Sequence, residues 1–243
     1  MRAFVGTSGF AYKPWKGPFY PADLKDDQML SYYAQHFRTV EINNTFYRMP
    51  GEDMLSKWAQ QTPDDFLFVL KASRRITHIK RLKDEDDSTG YLFTKAQALG
   101  AKLGPVLFQL PPNFKKDVPR LQAFLEKIPP SRDITLEVRN PTWLEDEVYD
   151  TLRQHKVALC AADMGGDDDE PEQEVPLVST AEWGYLRLRR DTYSDADLVA
   201  WVSRIRDQPW NRVFVFFKHE DEGQAPKLAS RFMELFGDDA ARS

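Results

Sequence analysis

Residues Ile134–Asp163 read ITLEVRNPTWLEDEVYDTLRQHKVALCAAD. The stretch opens with a short apolar run, Ile134–Asn140. It passes through a helical pattern at Glu145–Gln154 and closes with a second apolar run, Val157–Asp163. That is one strand-helix-strand unit, the repeat of a parallel sheet. Working outward, the same alternation recurs. Further runs stand at Phe4–Ser8, Thr39–Phe46, Phe66–Ser73, Pro105–Leu110, Gly184–Arg190 and Arg212–His219, which makes eight. Helical patterns are read at Leu24–Phe37, Asp53–Gln61, Thr89–Leu99, Val118–Ile128 and Pro226–Phe236. Thr142 with Glu145 predicts a capping box for the fifth helix, and Ser194 with Asp197 predicts an acidic cap for the seventh. Eight strands in 243 residues predict one α/β domain over residues 1–243, a TIM-like (β/α)8 barrel with parallel strands.

Two segments interrupt the alternation. Gly9–Pro21, GFAYKPWKGPFYP, is a long aromatic loop after the first run. Gly165–Pro176, GGDDDEPEQEVP, is acidic and nearly free of apolar residues. The second predicts an irregular or missing helix after the sixth strand and reads as a solvated loop.

Composition sets outer limits. The hydrophobic share of 42% suffices for a large core, and the net charge of −5 carries no whole-chain signal for nucleic acid or membrane. One cysteine permits no internal disulfide and fits a reducing compartment. The N-terminus lacks a signal pattern, and no apolar run approaches the ~18 residues of a membrane span. The expectation is a cytoplasmic protein with no membrane partner.

Side chains alternate along a strand, so parity assigns faces. Val40 and Ile42 should face the helices, leaving Glu41 and Asn43 to point into the barrel. By the same count Lys71, Gln109, Glu137, Arg139, Asp163, Arg187 and Arg189 point inward, while Lys218 and His219 compete for the eighth strand. Most of these lie at strand ends, the face where barrel enzymes hold their sites. Buried there without partners they would cost several kcal/mol each, so they either pair, as in Glu41–Lys71 and Glu137–Arg139, or line a wet mouth. Cations outnumber carboxylates at this mouth on an acidic protein, which points to a small anionic ligand such as a phosphate or carboxylate. Arg139, Arg187 and Arg189 are the predicted anion-binding residues, because guanidinium groups grip such ligands bidentately.

The series GTSGFAYKPWKGPFYP, VEINNTFYRMP, FVLKASRRITH, GPVLFQLPPNF, LEVRNPTW, YLRLRRDTYSD and VFVFFKHED resembles the domain of unknown function 72 family, the YecE-like proteins. The resemblance spans Gly6 to about Phe236. It implies a TIM-like barrel and no settled activity. Carried over, the family's shared mouth residues are Tyr12, Trp15, Tyr20, Glu41, Asn43, Phe46, Tyr47, Lys71, Thr77, His78, Gln109, Pro111, Pro112, Glu137, Arg139 and Trp143. Where many relatives carry a His-Gly pair and an asparagine-rich strand end, this chain has Arg189-Arg190 and Lys218-His219-Glu220-Asp221, a more basic pattern.

The reading leans toward an enzyme, of hydrolase or lyase type, using metal-free acid/base chemistry. Glu41, Lys71, His78 and Glu137 are the candidate catalytic residues. No cofactor is required by the sequence. A single divalent metal held by Glu41, Glu137, Asp163 and His219 is the alternative, and four histidines are too few for a larger histidine-rich centre. Cys160, of opposite parity to Asp163, should face the helices and be inert. Tyr12, Trp15, Phe19, Tyr20, Phe46 and Tyr47 either plug the upper barrel or stack on a base or sugar ring. The rival function is therefore a non-catalytic module that binds nucleic acid or a nucleotide through the same basic, aromatic mouth.

Overall fold

The computed structural model describes residues 1–83, 86–164, 173–174, 176–218 and 222–241. Its strands are β1 (Arg2–Thr7), β2 (Thr39–Ile42), β3 (Leu67–Lys71), β4 (Leu103–Gln109), β5 (Ile134–Glu137), β6 (Ala158–Met164), a two-residue β7 (Gln173–Glu174), β8 (Trp183–Leu188) and β9 (Arg212–Phe217). The helices are α1 (Met29–His36), α2 (Glu52–Gln60), α3 (Asp86–Ala96), α4 (Val118–Leu125), α5 (Asp146–Gln154), α6 (Asp195–Arg206) and α7 (Gln224–Phe236). Eight parallel strands run in the order β1-β9-β8-β6-β5-β4-β3-β2. The ring closes where β1 meets β2: Ser8 bridges to Glu41, and the Gly9 N–H donates to the Glu41 carbonyl at 2.8 Å. Gly6 makes that seam fit, because a Cβ there would lie 2.2 Å from the Thr39 carbonyl oxygen.

The strands are buried on both faces, as a helix-wrapped parallel barrel requires. Inside lie Phe4, Val69, Leu107, Cys160, Tyr185 and Phe216 among others. Outside, two larger apolar clusters fill the space between strands and helices. At the N-terminal end of β1, the Ala241 N–H donates to the Ala3 carbonyl at 2.8 Å and ties down the chain's last described residues.

Several expectations need correction. Cys160 pairs in register with Tyr185, and Ala162 with Arg187. Paired residues of neighbouring strands share a face, so Cys160 lies inside the barrel and not against the helices. It is buried, and burial, followed by the nearby Glu137 charge, pushes its thiol well above the usual range. That keeps it an inert thiol. Asp163 takes the opposite face: it pairs with Leu188, and its carboxylate accepts from Arg190 Nε at 2.9 Å and from Trp201 Nε1 of α6 at 3.2 Å. The Thr142–Glu145 capping box does not form. Asn140 instead caps a short 3-10 turn at Pro141–Trp143, accepting from the Thr142 N–H at 3.2 Å, and Glu145 sits at the α5 N-cap without a side-chain cap. The Ser194–Asp197 cap is present as a reciprocal capping box.

Among the described residues no helix lies between β6 and β8. β7 runs antiparallel to β6 there, with Glu174 opposite Asp163. Most of the acidic Gly165–Pro176 segment lies outside the described residues, as does His219. No described helix is long and apolar enough to cross a membrane.

Candidate functional site at the barrel mouth

The C-terminal ends of β2, β5 and β8 bring Glu41, Glu137 and Arg187 together. Arg187, 2% exposed, reaches across the barrel: Nη2 donates to Glu41 Oε1 at 2.9 Å and Nη1 donates to Glu137 Oε2 at 2.5 Å. Both carboxylates are fully buried. Glu41 also accepts from Ser8 Oγ at 2.8 Å, Asn43 Nδ2 at 3.1 Å and the Tyr185 hydroxyl at 2.6 Å. Glu137 Oε1 accepts from Arg139 Nε at 3.0 Å. Burial pushes the Glu41 carboxyl up, but the Arg187 charge and the Tyr185 and Ser8 hydrogen bonds outweigh it and hold it below the usual range. For Glu137, burial is likewise outweighed by Arg187, Arg139, Arg189 and Lys71, leaving it well below the usual range. Two ionised carboxylates are therefore clamped by one buried guanidinium.

Lys71, the last residue of β3, stands differently. The expected Glu41–Lys71 pair is replaced by Glu41–Arg187, and among the described residues no carboxylate lies in ion-pair range of the Lys71 ammonium. Its Nζ sits 4.2 Å from the centroid of the Phe46 ring. Thr45 Oγ1 donates to the Ile42 carbonyl at 2.9 Å and the Lys71 carbonyl at 2.7 Å, tying the loop that carries Phe46 to the end of β3. Burial, then the Arg187 charge, lowers the Lys71 amine. Glu137 and Glu41 pull it partly back, and it comes to about 7. The ring favours the ammonium, by about 0.5–1 kcal/mol at exposed sites and roughly 2 kcal/mol or more at desolvated ones, so it opposes the larger burial effect.

His78 packs edge-on against Phe46 at 4.9 Å between centroids, and its Nδ1 lies 2.8 Å from Thr77 Oγ1. Burial and the Lys71 charge lower it to about 4, so it is neutral at pH 7. Arg189 is partly buried two residues beyond Arg187, and burial together with the Arg187 charge works against its own charge. Gln109, at the end of β4, is buried, and its side-chain Oε1 and that of Asn43 (Oδ1) lack hydrogen-bond partners among the described residues. Such buried acceptors suit a ligand or water donor.

The other predicted residues divide clearly. Trp15 and Tyr20 are fully buried in an aromatic cluster with Tyr12 and Phe19, and the Tyr20 hydroxyl donates to the Phe10 carbonyl at 2.5 Å. Tyr12 donates to the Ser8 carbonyl at 2.7 Å. These side chains pack against α1 and not inside the barrel: Phe19 meets Tyr32, Tyr33 and Phe37, and Trp15 and Tyr20 belong to the outer cluster between strands and helices. Trp143 is a buried prop for the β4 loop, donating to the Phe114 carbonyl at 2.7 Å. Tyr47 alone of the predicted aromatics is widely exposed, at 74%. Phe216 lies inside the barrel and Phe217 packs on α7, so parity continues inward at Lys218. Arg187, expected as an anion ligand, stands as a clamp here: both of its terminal nitrogens serve carboxylates in a buried position, while its Nε has no hydrogen-bond partner among the described residues. Of the four ligands of the metal alternative, the three described ones do not converge. Glu41 and Glu137 are engaged by donors, Asp163 faces the opposite way, and His219 lies outside the described residues. Among the described residues no cluster of three or more His, Cys, Asp or Glu is placed to hold a metal ion.

Ser8, Thr45 and Tyr185 were not predicted. Ser8 and Tyr185 share the inward parity of Phe4 and Arg187, so alternation alone would find them.

The match to the model of the protein family of unknown function DUF72 runs over residues 4–243. The chain is 35% identical over 235 residues to UPF0759 protein YecE of Escherichia coli (strain K12), covering 84% of each. It is 25% identical over 272 residues to UPF0759 protein YunF of Bacillus subtilis (strain 168), covering 96% of this chain and 94% of that one. Among solved structures, a DUF72 family protein from Thermotoga maritima superposes with a TM-score of 0.87 at 27% identity, covering 98% of this chain and all of that one.

Proposed function

This chain belongs to the DUF72 family, and from that premise we propose an enzyme that binds a small phosphorylated or otherwise anionic ligand at the barrel mouth and moves a proton there with Lys71. One observation carries the reading. Lys71 is a partly buried amine at a strand end, facing cations and an aromatic ring, with both nearby carboxylates already clamped by Arg187. An amine so placed titrates near neutral pH, which suits an acid/base group. An incoming anion supplies the negative charge it lacks.

Roles follow from the environments. Lys71 accepts a proton as the free amine and returns it as the ammonium. Glu41 and Glu137 stay ionised, so neither serves as the protonated acid that glycoside chemistry needs. They hold Arg187 and set the field at Lys71. Arg139 and Arg189 bring positive charge for the ligand's oxyanion. Neutral His78 sits across Phe46 and helps keep the amine desolvated. The step is of hydrolase or lyase type, a proton transfer beside an anionic group, in a cytoplasmic protein.

Calorimetric titration with inorganic phosphate near pH 6.5 tests the reading. Arg189→Glu and Lys71→Met should each weaken binding about tenfold or more, roughly 1.4 kcal/mol. Phosphate affinity unchanged in both variants, or no binding by the native chain, would contradict it.

A further inference from the structure

Tyr47 projects from the loop after β2 with 74% of its surface exposed. An exposed aromatic of that size is ordinarily mobile, yet this one is braced: its ring stands edge-on to Phe46 at 5.0 Å and 89°. Phe46 is the same ring that carries the Lys71 ammonium, so Tyr47 continues the mouth outward.

Tyr47 also lines two clefts. One is a cleft of about 380 Å³ whose walls include Ser73, Arg75, Asp87 and a second exposed tyrosine, Tyr91. The other is a cleft of about 560 Å³ with Arg48, Pro50, Met54 and Trp58. Both clefts are lined by Tyr47 and Met49, and each adds one arginine. Arg48 and Arg75 are exposed, and among the described residues neither forms an ion pair. The same holds for Arg74, Lys80 and Lys83 on the adjoining segment. That segment is unusual in backbone as well as charge. Arg75–Ile79 forms a π-helical turn, and Arg81 and Leu82 follow with φ of 51° and 65°. Two consecutive left-handed non-glycine residues are costly, and such strain gathers where a segment has a task beyond connecting elements. Here the buried Leu82 anchors the turn, which holds the cations outward.

We propose that a single-stranded nucleic acid binds across this face, with bases stacked on Tyr47 and in the flanking clefts and phosphates held by Arg48, Arg75 and the cations after β3. Rings with exposed faces beside arginines are what unpaired bases and their backbone require, and stacking of this kind is tolerant of sequence. Asp87, the carboxylate of the smaller cleft, faces base N–H donors and not phosphate. A duplex keeps its bases stacked on each other and has no use for the clefts. An acidic peptide would use the arginines but not the ring faces. The site differs from the aromatic mouth expected from sequence, because Trp15 and Tyr20 are packed away and cannot stack on a ligand. It adjoins the mouth through Phe46, but Tyr47, Arg48 and Arg75 are none of the groups assigned to proton transfer or anion binding beside Lys71.

The test is fluorescence anisotropy on the full chain with short fluorescein-labelled oligothymidylate and oligouridylate across a salt series. Tyr47→Ala should weaken binding about tenfold, and Tyr47→Phe should retain it. Arg48→Gln with Arg75→Gln should weaken binding and flatten its salt dependence. Inorganic phosphate binding at the mouth should be untouched by Tyr47→Ala, which separates this proposal from the reading of the mouth. The proposal is overturned if no oligonucleotide binds at low salt, or if Tyr47→Ala binds as the native chain does. It is equally overturned if a duplex of the same length binds as tightly, or if polyglutamate displaces the strand as well as unlabelled oligothymidylate does.

Discussion

Arg187 Nη1 donates to Glu137 Oε2 at 2.5 Å between side chains that are 2% and 0% exposed. With the bond to Glu41, one guanidinium on β8 links β2 and β5, neither of which neighbours it in the sheet. Breaking a buried pair by removing one partner costs about 3–5 kcal/mol, because the remaining charge is stranded. Arg187→Met strands two. It should lower the urea midpoint by at least the equivalent of that range, and more than Glu41→Gln or Glu137→Gln does. A midpoint within error of the native chain would refute the clamp.

Tyr185 is the hydroxyl partner of Glu41 Oε2. A hydrogen bond to a buried carboxylate contributes about 1.5–3 kcal/mol. Tyr185→Phe should destabilise the fold by that amount in chemical denaturation. Combined with Glu41→Gln the two costs should be less than additive, since both changes remove the same charged bond.

The seam between β1 and β2 depends on Gly6. An added Cβ would meet the Thr39 carbonyl at 2.2 Å, and a backbone atom cannot step aside as a side chain can. Gly6→Ala should cost about 1–3 kcal/mol, as overpacking does. Gly51→Ala is the control, because nothing lies within 4 Å of a Cβ there.

Lys71 gives stability a pH dependence. Its amine lies at about 7 in the fold and at 10.5 ordinarily, so the unfolded chain binds more protons between these values. Stability contributed by the neutral amine is thus complete above about 10.5 and lost as pH falls through about 7. Lys71→Met should remove the rise across that window and should be more stable than the native chain below pH 7, read as urea midpoints against pH.

Alternation along the strands makes Glu41, Lys71, Glu137 and Arg187 legible as inward residues, because every barrel strand has one face toward the interior. It fails at β6 for a physical reason. The run VALCAAD holds small residues that fit either face, so nothing within it sets the phase, and Cys160 and Asp163 are exchanged. Partner choice is not legible either. Whether Glu41 meets Lys71 or Arg187 depends on the stagger of strands around the barrel, which no single strand encodes. Tyr185 and Ser8 lie on the inward parity but carry no charge to draw attention. Tyr47 reads like Tyr12 and Tyr20 in sequence, and only the folding of the first loop onto α1 separates buried rings from the exposed one.

The proposed chemistry turns on Lys71 being a neutral-range amine that an anion recharges. Its titration by NMR of [13C]lysine-labelled protein, assigned with Lys71→Met, tests that directly, with and without inorganic phosphate. The midpoint should lie near 7 in the free protein and move upward when phosphate binds. A midpoint near 10.5 that phosphate leaves in place would contradict that chemistry.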